Sequence, residues 1–357
     1  MKIALAYDYL NQLGGGERVL RVLCDMFPVA PIYTILYDSL KTGNLFADRK
    51  VITSFLDFSL ARFNHRWFIP LMPWAATSLD LGNEYDLVIS AGAGYGKGIS
   101  YGGRTKHLHY CYTPLRYAWE PDHLNNFKFK NITAPLLNYL KKWDYKMGQR
   151  PDVILADSKF IAAKVGRYYG RSAAVLYPPL DDKKFFLDSK IKKENYFLAV
   201  GRLVHYKRFD LIIEAFNQLQ WPLKIVGRGP EWSSLRRLIR SAQIEMLDFV
   251  SDERLSQLYN EARALVFPQE EDFGLVAVEA QACGTPIIAL ARGGALETVE
   301  GGKTGIFLGD QSSDSLIAAL TRFVRDEDNF DREYIAKHAR RFSLQNFKNV
   351  INSVISC

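Results

Sequence analysis

Two glutamates, Glu271 and Glu279, stand on either side of a predicted helix start in the second half of the chain. The apolar run that ends at Phe267 predicts a buried strand, and the residues from Gly274 onward have helical spacing. Glu271 would then lie in a loop and Glu279 inside the helix, whose first N–H groups would point toward that loop. Such a helix end carries partial positive charge and suits a phosphate or a developing oxyanion.

Two carboxylates beside an anion site suit a nucleotide sugar. Its negative diphosphate lies between two polyols, and a hydrogen bond to a charged acceptor contributes roughly 1.5–3 kcal/mol. Glu279 could bind the ribose, and Glu271 could bind the hexose. The spacing alone fits two solvated surface glutamates equally well or better, so the flanking residues have to decide.

The flanking residues form a dense pattern. From Glu271 the chain reads Glu-Asp-Phe-Gly-Leu-Val-Ala-Val-Glu-Ala, and it continues with Ala282-Cys283-Gly284-Thr285-Pro286, Gly293-Gly294 and Glu297-Thr298-Val299. This pattern, with seven residues between the two glutamates, closely resembles the signature of retaining GT-B glycosyltransferases. The family includes sucrose synthases and bacterial mannosyltransferases. The resemblance implies an α/β fold of the GT-B type, with two Rossmann-like doubly wound domains facing a central cleft.

The resemblance assigns further residues in the second half to the donor. The family places an Arg and a Lys on the donor diphosphate, and these align with Arg202 and Lys207, just after a predicted strand. A bidentate guanidinium and an ammonium there could neutralise a diphosphate leaving group. The same resemblance implies that the donor lies against Phe273, Gly274 and Leu275, where the helix begins.

In the first half, the glycine loop Gly14-Gly15-Gly16 separates a predicted strand from a helix. Glycines at such a turn let the backbone approach a ligand closely. The loop does not match the dinucleotide fingerprint GxGxxG, so NAD is not indicated. It resembles the Gly-Gly loop of the same family, which implies that Gly15 and Gly16 lie against the donor and the acceptor.

Tyr112 comes just before Thr113-Pro114, at the carboxyl end of another predicted strand, where open α/β sheets bind ligands. The resemblance here is to bacterial polysaccharide mannosyltransferases, which usually carry His at this place against the donor hexose. Tyr112 can donate one hydrogen bond but cannot become an imidazolium, which changes what the contact can do. His109 is a possible substitute earlier on the same strand. The implied catalytic set is therefore Glu271, Arg202, Lys207 and Tyr112.

The positive charge is concentrated in the first half of the chain. Residues 1–180 hold 22 Lys and Arg against 14 Asp and Glu, whereas residues 181–357 hold 24 against 25. A basic region of this kind can bind nucleic acid, an anionic membrane or a pyrophosphate-bearing substrate. Nucleic acid is disfavoured because no helix-turn-helix, zinc-finger or RNP-like pattern is present.

Residues 55–80 interleave aromatic and basic side chains, which suits a membrane interface. They are Phe55, Phe58, Phe63, Trp67, Phe68 and Trp74 with Arg62, His65 and Arg66. An ordinary helix packed on the core explains the same residues. A run of about 18 apolar residues that could span a membrane is not present. The first residues read as a strand rather than a signal peptide, which favours a cytoplasmic protein, with association at the inner face of the plasma membrane as an option.

The 357 residues amount to about two domains. In the second half, predicted strands near 196–200, 223–226, 246–250, 264–267 and 286–289 alternate with helices, which indicates a parallel sheet. Pro178-Pro179 and the charged stretch after them predict a linker, which gives domains at 1–182 and 183–340. By resemblance, a helix at 341–357 crosses back to the first domain. The four cysteines lack CxxC spacing and are expected to be reduced thiols.

The resemblance implies a retaining hexosyltransferase that needs no metal and no cofactor beyond its donor, most simply GDP-mannose. The acceptor would be a glycan or a lipid-pyrophosphate-linked oligosaccharide in surface polysaccharide synthesis. The acidic triplet Asp326-Glu327-Asp328 falls at a predicted helix end rather than after a strand, so a metal site is not expected there. Three alternatives stay open: a UDP-sugar donor, a nucleotide-sugar 2-epimerase or hydrolase of the same architecture, and a non-enzymatic binding protein with a decayed site, which only Tyr112 supports.

Overall fold

The computed structural model describes residues 1–120 and 130–356 and divides the chain into two compact units. The first unit is Met1–Leu176 and the second is Tyr177–Cys357. The predicted domain limits, and the packing of the last helix on the first domain, stay predictions.

The first unit is built on a seven-stranded parallel sheet. Its strands are β1 Ile3–Tyr7, β2 Ile32–Thr34, β3 Val51–Thr53, β4 Leu87–Gly92, β5 Lys106–Cys111, β6 Val153–Ala156 and β7 Ala174–Val175. They lie in the order β3-β2-β1-β4-β5-β6-β7, so β1 pairs with β4 although two strands separate them in the chain. The strand order reverses at this pair, and open α/β sheets bind ligands at the carboxyl ends of such a pair.

The helices of the first unit are α1 Gly15–Met26, α2 Ser59–Phe63, α3 Met72–Ser78, α4 Arg116–Trp119, α5 Lys130–Gly148 and α6 Lys159–Tyr169. A 3-10 segment, His65–Leu71, joins α2 to α3. The side chain of Ser158 caps α6, because it accepts a hydrogen bond from the N–H of Ile161.

The second unit holds a six-stranded parallel sheet in the order β10-β9-β8-β11-β12-β13. Its strands are β8 Phe197–Val200, β9 Leu223–Val226, β10 Ile244–Leu247, β11 Leu265–Phe267, β12 Ile287–Leu290 and β13 Gly305–Leu308. Its helices are α7 Phe209–Leu219, α8 Trp232–Leu238, α9 Asp252–Glu261, α10 Leu275–Ala282, α11 Ala295–Thr298, α12 Ser313–Asp326, α13 Arg332–Ala339 and α14 Leu344–Ser356. The order again reverses at one pair, here β8 and β11.

Helices cover both faces of the second sheet. Successive residues of a strand point to opposite faces, and successive residues of β8 enter two different core clusters: Leu198 and Val200 join one, and Phe197 and Ala199 join the other. The strands are therefore buried on both sides, as the continuous apolar runs of the sequence predict for a parallel sheet.

Three details of the second unit differ from the expectation. The third strand is Ile244–Leu247 rather than 246–250, and the last strand, Gly305–Leu308, was not predicted. The last helix begins at Leu344 rather than at 341, because the backbone of Ser343 is extended. Here Leu180 donates its N–H to the carbonyl oxygen of Phe342 at 2.7 Å, so tertiary pairing takes residues out of the helix.

Cys24, Cys111 and Cys283 are free and buried, as expected, and Cys357 lies outside the described residues. Within the described ranges, every helix is too short or too polar to cross a membrane.

Candidate active site

The predicted cationic and acidic residues of the second unit follow the two strands at which the sheet order reverses. Arg202 and Lys207 come after β8, and Glu271 comes after β11, its neighbour in the sheet. All strands of this sheet are parallel, so these loops leave from the same edge. This edge is where an open α/β sheet forms its ligand crevice.

The structure brings Lys207 and Glu271 into contact. Nζ of Lys207 lies 2.9 Å from Oε1 of Glu271, and both side chains are largely buried. Burial is the largest influence and lowers the pKa of Lys207, but the charge of Glu271, the nearby Tyr206 and the hydrogen bond to Glu271 together raise it by more, so the pKa lies above its usual value. The positive charge of Arg202 lowers the pKa of Lys207, so Arg202 is close enough to Lys207 to act on the same ligand. Lys207 is thus held as a cation at the sheet edge.

The ion pair holds the carboxylate of Glu271 at a largely buried position. Its Oε1 is buried and faces Nζ of Lys207. A carboxylate has about four lone-pair sites on its two oxygens, so Glu271 can pair with Lys207 and still accept a hydrogen bond from a hydroxyl group of a bound ligand.

Glycines hold the Glu271 loop in place. The N–H of Gly294 donates to the carbonyl oxygen of Glu271 at 2.8 Å. A Cβ atom on Gly294 would collide with the backbone of Phe273, so only glycine permits this approach. Gly274 has φ of 93°, in the left-handed region that favours glycine, and the chain turns there into α10.

The first turn of α10 has the backbone arrangement that an anion site at this helix end requires. Gly274 is the N-cap, and the cap uses no side-chain hydrogen bond. Phe273 is 3% exposed and packs against the ring of Tyr177, so it can face a donor only through its backbone. Leu275 is the first helical residue, and Glu279 follows one turn later on the same face.

Glu279 is buried on α10, and its orientation is set by a neighbouring helix. The hydroxyl group of Tyr259 on α9 donates to Oε2 of Glu279 at 3.2 Å. A carboxylate held in this way can present its remaining lone pairs to a ligand hydroxyl.

A second glycine loop packs against the Arg202 loop. Gly227 has φ of 156°, and a Cβ atom there would collide with the carbonyl oxygen of Gly201. A Cβ atom on Gly229 would collide with the backbone of Leu203 in the same way. The two loops therefore stack backbone on backbone, which fixes the position from which Arg202 and Lys207 extend.

In the first unit, the structure brings Tyr112 to the glycine loop. Tyr112 donates its hydroxyl proton to the carbonyl oxygen of Gly16 at 3.0 Å, while Gly15 begins α1. A Cβ atom on Gly16 would lie 2.6 Å from Oη of Tyr7 and 3.0 Å from Cε2 of Tyr112. Burial, and then the charge of Glu17, raise the pKa of Tyr112 well above its usual value. Its hydroxyl therefore stays neutral, and its donor capacity is already used.

Two buried acids beside this loop were not predicted as site residues. Asp8, just after β1, accepts hydrogen bonds from the N–H groups of Ala93 and Gly96 at 2.6 and 2.7 Å. Glu17 on α1 accepts a hydrogen bond from Tyr7 at 3.2 Å, and burial raises its pKa. Asp8 could have been recognised as an acid at the end of the first strand, the edge at which such sheets bind ligands.

His109 does not replace the histidine that the resemblance implies. It is fully buried on β5, and its Nδ1 lies 2.9 Å from Oγ of Ser90. The same hydroxyl lies 2.7 Å from Nε2 of His107, so the two imidazoles share one serine inside the sheet. The alternation of β5 turns His109 into the core, which excludes it from the ligand edge.

The two histidines make the first unit sensitive to acid. Burial lowers the pKa of His107 to about 3 and the pKa of His109 well below its usual value. Both are neutral in the folded state but take up protons near pH 6.5 when unfolded, so stability is lost as the pH falls below about 6.5, by up to about 1.4 kcal/mol per pH unit per histidine.

Urea denaturation at pH 7 and pH 5 measures this loss. We expect His107→Gln to make the dependence of unfolding free energy on pH shallower. The matched change at the exposed His205, His205→Gln, should leave it unchanged. An equal slope in all three proteins would show that the buried histidines do not cause the acid sensitivity.

The comparisons with known proteins point to one family. Residues 181–342 match the family model described as Glycosyl transferases group 1. The match covers most of the second unit and includes Arg202, Lys207, Glu271 and Glu279.

Curated relatives agree with this group 1 match. The chain is 28% identical over 289 residues to D-inositol 3-phosphate glycosyltransferase of Corynebacterium urealyticum, covering 67% of this chain and 68% of the relative. It is 29% identical over 210 residues, 51% of this chain and 55% of the relative, to GDP-mannose-dependent alpha-(1-6)-phosphatidylinositol monomannoside mannosyltransferase of Mycolicibacterium smegmatis. For most of the curated relatives, the chain spans about half of their length or less.

Among solved structures, Anabaena HepE in complex with UDP has a TM-score of 0.75 and 18% identity, with 100% of both chains covered. At this identity the likeness concerns the fold alone. Together with the two parallel sheets, it confirms the expected α/β fold of the GT-B type.

Proposed function

We propose that the protein is a retaining glycosyltransferase that moves a hexose from a nucleotide sugar to a hydroxyl group of an acceptor. The observation that carries the proposal is the contact of Lys207 with Glu271 at the edge where the second sheet reverses its order. The cation Lys207 can bind the diphosphate of a nucleotide sugar, and the adjacent carboxylate of Glu271 can accept hydrogen bonds from its sugar. The group 1 match over the same residues supports the assignment.

The residues of the second unit have distinct roles in this reaction. The bond from the anomeric carbon of the hexose to the diphosphate breaks, and Arg202 and Lys207 stabilise the negative charge that develops on the leaving oxygen. The N–H groups at the start of α10 add a partial positive charge. Glu271 orients the hexose, and Glu279 accepts hydrogen bonds from the ribose.

The acceptor attacks on the face that the diphosphate leaves, so the configuration at the anomeric carbon is retained. The acceptor oxygen bonds to that carbon, and the departing phosphate oxygen takes the hydroxyl proton. Fixed protein cations supply the charge stabilisation, so the proposed reaction needs no metal. In the first unit, the loop at Gly15 and Gly16 with Tyr112 would contribute to binding the acceptor.

The donor proposed first is GDP-mannose, and the acceptor is a glycan or a lipid-linked oligosaccharide of surface polysaccharide synthesis. The GDP-mannose-dependent relative from M. smegmatis supports this choice. A UDP-sugar is the competing donor, because HepE was solved with UDP and with UDP-glucose. GDP-mannose and UDP-glucose differ both in the base and in the configuration of the hexose.

Thermal denaturation with GDP-mannose, UDP-glucose and ADP-glucose tests the proposal. A ligand at about 100 times its Kd stabilises the folded state by about 2.7 kcal/mol, so the correct donor should raise Tm. Glu279→Gln removes a charged acceptor from the ribose and should weaken donor binding about tenfold. Glu245→Gln, on the exposed edge strand β10, is the control and should bind as the wild type does.

Product analysis separates transfer from its alternatives. Release of free hexose from the donor at full rate without an acceptor would indicate a hydrolase, and conversion of the donor sugar would indicate an epimerase. Donor binding with no turnover in the presence of any acceptor would indicate a binding protein. If no nucleotide sugar changes Tm, the proposed site is wrong.

A further inference from the structure

Segment 55–74 of the first unit exposes many of its large apolar side chains to solvent. Of the twenty large hydrophobic side chains that are exposed among the described residues, seven lie in these twenty positions: Phe55, Phe58, Leu60, Phe63, Trp67, Leu71 and Trp74. Phe63 is 75% exposed, Trp67 60% and Trp74 62%. We call this set the aromatic surface.

The segment already has an inner side that packs on the core. Leu56, Ala61, Ile69 and Met72 are buried, and Phe68 packs against the core cluster that holds Leu56, Ile69 and Met72. Burial of these side chains explains how the segment is held on the first unit. The exposed rings lie outside this contact, so packing on the core does not account for them.

Exposed rings of the aromatic surface contact one another in pairs. The ring centroids of Phe55 and Trp74 are 4.6 Å apart, and those of Phe63 and Trp67 are 6.4 Å apart. Leu40, which is 83% exposed, is brought to the same place because Lys41 donates a hydrogen bond from Nζ to the carbonyl oxygen of Arg62. A large apolar patch on a protein surface marks an interaction site.

The first unit also exposes basic side chains on elements that share a core cluster with the segment. Arg66 lies within the segment and is exposed. Helix α5 packs through Leu140 on the core cluster that also holds Met72, and it exposes Lys142 and Lys146 together with Tyr139 and Tyr145. Rings and cations at one surface fit a lipid headgroup layer, where Trp and Tyr sit at the interface and cations meet anionic lipid.

We propose that the aromatic surface and the lysines of α5 dock the first unit onto an anionic lipid leaflet. This inference goes beyond the transfer reaction and does not depend on it, since none of these residues belongs to the donor site. The charge of the first half of the sequence, 22 Lys and Arg against 14 Asp and Glu in residues 1–180, has the sign that an anionic leaflet attracts. Docking would hold the enzyme beside a lipid-linked substrate.

Co-sedimentation with vesicles tests the docking. The probes are vesicles of phosphatidylcholine alone and vesicles of equal parts phosphatidylcholine and phosphatidylglycerol. The full chain should bind the second kind more tightly, with a blue shift of tryptophan emission. The triple variant Phe63→Ser, Trp67→Ser, Trp74→Ser should bind about 100-fold more weakly. The control triple Phe186→Ser, Leu238→Ser, Phe249→Ser changes exposed apolar residues of the second unit and should bind normally.

A charge variant checks the electrostatic part. Lys142→Gln with Lys146→Gln should weaken binding to the anionic vesicles about 30-fold. Lys190→Gln with Lys192→Gln, exposed in the second unit, should have no effect. Each variant is also tested for the Tm shift by donor, which should persist, because the donor site is elsewhere.

Two results would overturn the docking proposal. One is equal vesicle binding by the wild type and by the aromatic triple variant. The other is a dimer, seen by analytical ultracentrifugation, that the aromatic triple variant abolishes, because the surface would then bind a second copy of this chain.

Discussion

Replacing Glu271 by glutamine is expected to lower kcat/KM for glycosyl transfer about 10²–10³-fold, as removal of a preorganised electrostatic group does. The amide keeps the shape of the side chain but loses the charge that pairs with Lys207 at 2.9 Å. The hexose also loses a charged acceptor. Steady-state kinetics with the donor identified by the Tm shift measure the effect.

The pH dependence of donor binding distinguishes this role from a merely structural one. In the wild type, Glu271 raises the pKa of Lys207 against the lowering by burial and by Arg202. Glu271→Gln removes the largest raising effect and leaves that of Tyr206 against burial, which is the largest influence of all, so Lys207 loses its proton at a lower pH. Donor affinity of the variant should therefore decline at a lower pH than donor affinity of the wild type.

Glu270→Gln is the matched control, because it makes the same change at the adjacent, exposed position. It should leave both the rate and the pH profile unchanged. Lys207→Met should resemble Glu271→Gln, and the double variant should be little worse than either, since the two groups act as a pair. Full transfer by Glu271→Gln with every donor that binds would falsify the role assigned to Glu271.

Replacing Asp144 by leucine is expected to cost the first unit about 3–5 kcal/mol of unfolding free energy, because it leaves a buried cation without its partner. Nζ of Lys97 lies 2.6 Å from Oδ1 of Asp144, and both side chains are completely buried. After the substitution, Lys97 would keep the carbonyl oxygen of Gly94 as its hydrogen-bond acceptor.

The complementary substitution should cost less. In Lys97→Met, Asp144 still accepts hydrogen bonds from Nε1 of Trp119 at 2.7 Å and from the hydroxyl group of Tyr169 at 2.8 Å. A carboxylate that keeps such donors is better satisfied than an ammonium with one carbonyl. The prediction is therefore an order of stability: wild type, then Lys97→Met, then Asp144→Leu.

Urea denaturation monitored by tryptophan fluorescence measures this order. Lys142→Met, at an exposed position of the same helix, is the control and should change stability by no more than about 0.5 kcal/mol. If Lys97→Met costs as much as Asp144→Leu, the hydrogen bonds from Trp119 and Tyr169 do not compensate as argued. Such a result would place the stabilisation in the ion pair alone.

Much of the fold was predictable because apolar runs and glycine turns are local signals. The strands ending at Val200, Val226 and Phe267 were predicted close to their observed positions. The strand near Ile244 was placed two residues late, because its polar residues do not show the burial that pairing with β9 imposes. Strand β13 lies at the sheet edge, and its short run between Gly305 and Leu308 carried too weak a pattern.

The candidate residues were chosen from the sequence, but their geometry could not be predicted from it. Arg202, Lys207, Glu271 and Glu279 were chosen because the surrounding motifs resemble a family signature, and their roles stay predictions. Their pairing could not be predicted, since contact between loops 64 residues apart depends on which strands are neighbours. The carboxylate of Glu271 meets Lys207 only because β11 lies beside β8.

Local sequence was enough to decide element type, strand ends and the position of the glycine turns, because these depend on neighbours within a few residues. Tertiary structure alone decided which faces are covered. It buried His109, joined Lys97 to Asp144 across 47 positions, and left Trp67 and Trp74 exposed while alanines face the core. Burial is set by distant segments that pack against a residue, and the periodicity of a segment does not contain that information.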